Sequence, residues 1–528
     1  MSRSTPRVNI TSLSGGVKPA ICMTMMAEDG STTAALFKSK PVRSEEAWVR
    51  KGYVLAIVTL LSIFLVSGFI RQMNQATVIA ASNNNNNLNL NLNPPPVEIS
   101  NDEEEEDSSG HAASLEESIE HDDFNSNDES ASALPPQGCD ARTAKLKVFM
   151  YDLPPEFHYG LIHEFSPSKG QIWPKNVTDI PHYPGGLYQQ HSPEYWLTSD
   201  LLTSNMPDRR SPCTAFRVER WQEADIVFVP FFASLCYNKL STKLQKPNKD
   251  EEVQKQLVKW VKSQPAWQAY QGSNHVVVIH HPNSMAATRE QLRHVMFVVA
   301  DFGRYDTKIA NLGKDVVAPY KHVVPTLDTD ESSFEERHTL LFFQGAIVRK
   351  EGGIIRQQLY EMLSKEDGVT FATGNTQSAG IRSAASGMRG SKFCLHLAGD
   401  TPSSNRLFDA IASGCVPVVI SDEVELPFED VMDYSEFCVF VNSTQALRKG
   451  SMLKALRGIG KDEWTRMWGR IRQVQRHFEY RHPTQPGDAV NMVWSAIARK
   501  LPALNLKLHK RGRFARSHAT RTTVALDS

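Results

Sequence analysis

The run Ala398-Gly399-Asp400-Thr401-Pro402-Ser403-Ser404-Asn405-Arg406 follows the apolar stretch Phe393–Leu397 and opens a helical stretch from Ser404 to Ser413. A strand, a glycine turn and a helix start leave free backbone N–H groups at the positive end of the helix dipole. That arrangement suits an anion, a pyrophosphate above all. Ser403 or Ser404 as an ordinary N-cap would account for the serines. It would not account for Asn405, Arg406 and, one turn on, Asp409. An Asp409 carboxylate could accept both hydroxyls of a ribose, since an ionised acceptor holds two donors well. The plainer alternative for it is a helix-surface pair with Arg406, three residues earlier. A second turn of the same kind follows Leu340–Phe343: Gln344-Gly345, then Arg349 and Lys350 ahead of a helix over 353–364.

Short apolar runs alternating with helical stretches must position these turns. Lys147–Tyr151, Ile226–Phe232 and His275–Ile279 read as buried strands, with a helix between the last two over Glu252–Trp267, where Val253, Leu257, Trp260 and Val261 recur at helical spacing. The alternation restarts at Leu340–Phe343 and continues through Val369–Phe371, Phe393–Leu397, Val416–Ile420 and Phe437–Val441. Amphipathic helices near 461–479 and 487–500 close it. Strand–helix–strand order implies parallel sheets covered by helices. Two consecutive α/β domains are expected, over 141–332 and 333–505, with ligands beyond the carboxyl ends of the strands.

With 528 residues the chain exceeds a single compact core, and its formal charge of -1 hides unlike pieces. Residues 1–51 carry eight Lys/Arg against four acids, residues 71–140 carry one Arg against fifteen acids, and the rest is net basic. Between the first two lies Gly52–Ile70, nineteen residues without a charge, bracketed by Arg50, Lys51 and Arg71. At 1.5 Å per residue it spans roughly 28 Å, enough for a transmembrane helix. Fifty residues before it argue for an uncleaved anchor rather than a signal peptide. Positive charge ahead of the span places 1–51 in the cytosol and the remainder in a lumen, a type II single-pass topology. A short span suits the thinner membranes of the early secretory pathway, and the Golgi membrane is the expected location. The acidic, Asn- and Pro-rich segment 71–140 cannot bury enough apolar area to fold and reads as a flexible stem. The stretch 499–521 holds eight Lys/Arg and no acid, so 506–528 reads as a solvated basic tail; nucleic acid is not an expected partner in a lumen. Sequons at Asn176 and Asn442 fall on the lumenal side. Six lumenal cysteines admit fifteen pairings and leave buried thiols open as well.

The chain resembles the exostosin-like glycosyltransferases of family 47. The resemblance rests on Gly399–Ile420 (GDTPSSNRLFDAIASGCVPVVI), Glu425–Asp430 (ELPFED), Phe149–Pro154 (FMYDLP), Ala224–Phe232 (ADIVFVPFF), His280–Asn283 (HHPN) and Asp301–Tyr305 (DFGRY), in order across roughly 145–500. With Ala318–His322 (APYKH) and Trp464–Trp468 (WTRMW), it is most similar to plant arabinosyltransferases of pectic arabinan. The resemblance implies a GT-B fold, two Rossmann-like domains facing a cleft. It also implies a UDP-sugar held by the second domain, a polysaccharide acceptor in the cleft and inversion at the anomeric carbon. Members often carry Glu where this chain has Asp409. Inversion is one displacement, in which a base takes the acceptor proton and cations hold the leaving diphosphate. His281 and Asp301 are the candidate bases. Arg349, Lys350, Arg382, Lys392 and Arg406 are the candidate cations, with Gly345, Ser404, Asn405 and Asp409 completing the donor site. No cofactor is required by this scheme, and Asp328-Thr-Asp330, a DxD pattern in the connector, is assigned no metal.

Xylosyl, galactosyl or glucuronosyl transfer would fit the same pattern, as would a non-catalytic subunit that anchors an active transferase; a homo- or hetero-oligomer with other glycosyltransferases is a separate expectation. A lectin would need an aromatic sugar platform; Trp464 and Trp468, four apart on a helix, read as core.

Overall fold

The computed structural model describes residues 138–524 apart from 164, 166–167, 169, 242–247, 328–332, 350–352 and 375–377. The expected anchor at 52–70, the tail before it, nearly all of the stem at 71–140 and the Asp328–Asp330 pair lie outside the described residues. No helix among the described residues is long and apolar enough to cross a membrane.

Two parallel sheets form the frame. The first comprises β1 (Leu146–Met150), β2 (Ala215–Val218), β3 (Ile226–Val229), β4 (His275–Val278), β5 (Met296–Val299) and β6 (Val316–Val317), in the order β2-β1-β3-β4-β5-β6. The second comprises β7 (Thr339–Gly345), β8 (Val369–Thr373), β9 (Ser391–Leu397), β10 (Val416–Ile420) and β11 (Val439–Phe440), in the order β11-β10-β9-β7-β8. Every residue of β3, β4, β5 and β10 is buried. Helices cover both faces, so these strands read as unbroken apolar runs without alternation. β5 has such a run yet is missing from the strands expected from sequence, whereas β2, half-buried and containing Arg217, and the two-residue β6 carry none.

Among the described residues eleven helices accompany the strands: α1 (Pro193–Thr203), α2 (Ala233–Leu240), α3 (Lys249–Lys262), α4 (Pro265–Tyr270), α5 (Ile354–Leu363), α6 (Ser378–Arg389), α7 (Arg406–Ala412), α8 (Ser443–Ala446), α9 (Ser451–Gly458), α10 (Lys461–Val474) and α11 (Ala489–Val524). The single helix expected over 252–267 is two. Pro265 forces Gln264 into an extended conformation (φ -79°, ψ 146°) and serves as the first residue of α4.

The last helix departs from the expected division. α11 buries Val490, Val493, Trp494 and Ile497, and it packs on the first half of the molecule as well as closing the second, where Arg499 pairs with Asp430 at 2.6 Å. Trp494 Nε1 donates to Asp200 Oδ2 at 3.0 Å, and its ring meets Phe228 edge-on at 5.5 Å. Asp200 also pairs with Arg209 at 2.7 Å, with both side chains 1% exposed. The helix continues to Val524, within the stretch 506–528 expected to be a free basic tail.

Residues 318–327 lead from the first sheet to the second and are gripped from below. Tyr480 Oη donates to the Pro319 carbonyl at 2.8 Å, and the Glu479 carboxylate meets His322 Nε2 at 2.9 Å and accepts from Thr326 Oγ1. Disulfides join Cys139 to Cys213 and Cys394 to Cys415, while Cys236 and Cys438 are buried thiols.

Two stability predictions follow from these contacts. Asp200→Ala leaves the Arg209 guanidinium buried without its counter-charge and should lower unfolding free energy by about 3–5 kcal/mol in denaturant titration. Burial pushes the Glu479 carboxyl up, but His322, Thr326 and Lys321 outweigh it and hold it at about 2, below its ordinary 4.5. A depressed carboxyl stabilises the fold above its unfolded value, and that contribution is lost as pH falls toward the folded one. Glu479→Gln should therefore lower the thermal midpoint at neutral pH and flatten its decline between about pH 5 and about pH 2.

Candidate active site

The order of the second sheet reverses between β7 and β9, so a crevice opens beyond Gly345 and Ala398-Gly399. The turns there are packed at backbone distance. A Cβ on Gly374 would sit 2.8 Å from the Gly345 Cα, and one on Gly353 would sit 2.8 Å from the Gly399 carbonyl oxygen. Beneath both turns lies Arg356 of α5, 3% exposed, which the sequence reading passed over. It donates from Nε to Ala398 O at 2.8 Å, from Nη1 to Ala346 O at 3.0 Å and from Nη2 to Leu397 O at 3.0 Å. These carbonyls fix the guanidinium but do not neutralise it, and no salt bridge to it is found among the described residues. Burial, then the neighbouring Arg349 and Arg406 charges, pull it down from 12.5 to about 9. A cation held this way is relieved by an incoming anion.

The expected donor residues divide. Gly345 is part of the crevice floor, and Arg349 pairs with Asp400 at 3.4 Å on its rim. Lys350 lies outside the described residues. Arg382 is exposed on α6, away from the cavity lining. Lys392 does not belong to the site. It stands near the start of β9, its Nζ 3.7 Å from the centre of the Phe334 ring, and the site lies past the far end of that strand, some ~20 Å away at ~3.3 Å per residue. Ser404 Oγ turns toward His396 Nδ1 at 3.4 Å rather than capping α7. Arg406 and Asn405 Nδ2 both bond Asp409 Oδ2, the latter at 3.0 Å. Asp409 Oδ1 accepts from Val323 N at 2.9 Å and Val324 N at 3.4 Å, and the side chain is 0% exposed. The ribose role expected for Asp409 therefore gives way to a clasp on the interdomain connector.

A cavity of about 440 Å³ adjoins the crevice, within the range for a small-molecule site. It is lined by Asp400–Pro402 after β9, Ile420–Glu423 after β10, Ile355 and Gln358 of α5, and Ser443 and Leu447, with Gly303 from the first half. Gln358, Asp422 and Ser443 were not singled out from sequence. The rule that ligands sit beyond strand ends, applied to β10 as it was to β9, would have found Asp422. Ser443 N donates to Asp422 Oδ1 at 3.0 Å. The sequon residue Asn442 beside it is exposed and caps α8 by accepting from Gln445 N at 2.8 Å. Asn176 is also exposed, and its Nδ2 donates to Asp179 at 2.9 Å.

Neither candidate base is suited to that role. Asp301 is 1% exposed; its Oδ1 accepts from Gly303 N at 3.0 Å, and its Oδ2 accepts from Thr401 Oγ1 at 2.7 Å and from Ser403 Oγ. It is a brace between the halves. His281 Nδ1 accepts from Asn283 N at 3.1 Å, so in the neutral ring the proton sits on Nε2. Burial, with the Arg304 charge second, lowers this imidazole to about 4. Its one lone pair faces its own backbone, and what it presents outward is a donor.

Residues 142–456 match the Exostosin GT47 domain. Probable arabinosyltransferase ARAD1 of Arabidopsis thaliana is 39% identical over 371 residues, covering 69% of this chain and 80% of that protein. Probable glucuronosyltransferase GUT1 of Oryza sativa subsp. japonica is 24% identical over 391 residues, covering 69% and 83%. Probable beta-1,4-xylosyltransferase IRX10 of Arabidopsis thaliana is 24% identical over 389 residues, covering 69% and 84%. A glycosyltransferase of Rickettsia africae aligns at a TM-score of 0.30 with 11% identity over 61% of this chain and 95% of its own, too loosely to carry an argument.

Isothermal titration of the full chain with UDP separates the central cation from the distant one. Arg356→Ala should weaken binding about 10- to 100-fold, the loss of one or two charge-assisted contacts, while Lys392→Ala should leave it unchanged.

Proposed function

Because the chain belongs to the Exostosin GT47 family and is a glycosyltransferase, we propose that it transfers arabinose from UDP-arabinose to a pectic arabinan side chain, inverting the anomeric centre. The observation that carries the reading is Arg356, a buried cation without an ion-pair partner among the described residues, set under the turns at the reversal of the second sheet. A diphosphate at those turns would meet Arg356 from below and Arg349 at the rim, with the sugar entering the cleft. As the anomeric bond to the diphosphate breaks, the developing charge moves onto oxygens already facing these fixed cations.

The choice of sugar draws on the 39% identity to a protein named as a probable arabinosyltransferase, against 24% for those named for glucuronate and xylose. Charge supports it as well. Asp400, Asp422 and Glu423 line the cavity, and a uronate carboxylate there would meet like charges, whereas a neutral pentose would not. The sequence supports a type II anchor at 52–70 and a Golgi lumen for the catalytic part. The two disulfides are compatible with that oxidising compartment.

Nucleotide release would be assayed with the full chain in microsomes, offering UDP-arabinose, UDP-xylose, UDP-galactose and UDP-glucuronate against arabinan, galactan and xylan oligosaccharides. Arabinan-dependent turnover of UDP-arabinose, at least ~10-fold lower in Arg356→Ala, is expected. Acceptor-dependent turnover of a different donor would overturn the arabinose assignment, and absence of UDP binding would overturn the donor site.

A further inference from the structure

Three imidazoles gather at the carboxyl ends of the first sheet: His191, the last residue of the 3-10 turn Gly186–His191, and His280 and His281 directly after β4. Their hydrogen bonds fix which nitrogen of each carries a proton. His280 Nε2 lies 3.1 Å from the Ala318 carbonyl oxygen, which can only accept, so Nε2 holds the hydrogen. In the neutral ring His280 Nδ1 is then an acceptor. His191 Nδ1 lies 2.9 Å from it and must be the donor. The same accounting leaves His191 Nε2 as a bare lone pair with no hydrogen-bond partner among the described residues. Both rings are neutral at ordinary pH. Burial lowers His280 to about 3, and burial followed by the charges of His281 and His280 holds His191 well below its usual 6.5.

The position of His191 links this lone pair to the donor crevice. His191 as a residue is half-buried. It lies 4.9 Å from the ring of Tyr320, whose hydroxyl bonds Ser403 Oγ at 2.8 Å and whose ring stacks on Phe408 of α7 at 5.8 Å. One aromatic side chain thus separates His191 from the turn that follows β9. His281 has the opposite tautomer, and its ring is 4.7 Å from that of His191. Together they offer one acceptor and one donor, the complement of a sugar hydroxyl.

We propose that His191 Nε2 is the general base that takes the proton from the attacking acceptor hydroxyl. The assignment rests on the donor-site reading above and replaces the two bases expected from sequence. The acceptor oxygen forms its bond to the anomeric carbon as its proton passes to Nε2. The bond from that carbon to the diphosphate oxygen breaks, and its electron pair leaves with UDP. His191, then an imidazolium, keeps Nδ1–H on His280 and returns the Nε2 proton to solvent. The His280–Ala318 bond is the positioning element, since it presets the tautomer.

The experiment pairs UDP titration with steady-state kinetics on the full chain and two variants. His191→Asn should lower kcat about 10²- to 10⁴-fold with UDP affinity unchanged, and His191→Gly should regain turnover when free imidazole is added. A parent chain that fails to bind UDP overturns the donor-site reading and the base with it. A parent that binds UDP, alongside a His191→Asn variant that turns over within about threefold of it, a small fraction of a base's usual contribution, overturns the base alone. So does a His191→Asn variant whose loss of rate matches an equal loss of UDP affinity, because that outcome describes a structural residue.

Discussion

Each half of this enzyme carries a buried carboxylate that is satisfied by groups across the divide. Asp301, beyond β5 of the first sheet, accepts from Thr401 and Ser403 of the second. Asp409, inside α7, accepts from the backbone of Val323 and Val324 in the connector. Pulling the halves apart would strand both acceptors in low-dielectric surroundings, at a cost of several kcal/mol each unless water follows. These hydrogen bonds set their spacing, and the Glu479 contacts with His322 and Thr326 pin the same connector from its other side. These bonds set the separation between the crevice and the three imidazoles.

That separation matters because the two sides divide the chemistry by charge. The floor under the β7 and β9 turns is cationic through Arg356, while the outer cavity is lined by Asp400, Asp422 and Glu423. Across from them the imidazoles are neutral. In the proposed reaction a diphosphate would be attracted to one end of the site, a neutral sugar would be tolerated at the other, and proton transfer would be left to groups that carry no resting charge.

Much of the frame could be read from the chain because it depends on local pattern. The strand, glycine turn and helix around 398–406 fall where the resemblance and the period of apolar residues place them. What could not be read depends on partners distant in sequence. A residue's type says that Asp301 and Asp409 are carboxylates, but not that each is buried against groups from elsewhere in the fold. Lys392 has the right charge at the wrong end of its strand, and strand direction decides that. Arg356 looks like a surface cation of an amphipathic helix until the carbonyls of 346, 397 and 398 are seen around it. Of the histidines, His281 sits in the more conspicuous motif, yet a hydrogen bond to its own backbone settles what it can do, as His280 does for His191. The return of α11 to the first sheet was hidden for the same reason, since its anchor Trp494 lies 294 residues from Asp200.

That return has a bearing on how the protein is made. The first sheet emerges from the ribosome long before the helix that covers Asp200 and Phe228, and at about 5–20 residues per second the interval is roughly 15–60 s. Throughout it the N-terminal half holds a buried-charge site open to water and an apolar face without its cover. A chain cut short even slightly before Trp494 would hold every strand of both sheets and still leave Asp200 and Phe228 without their cover.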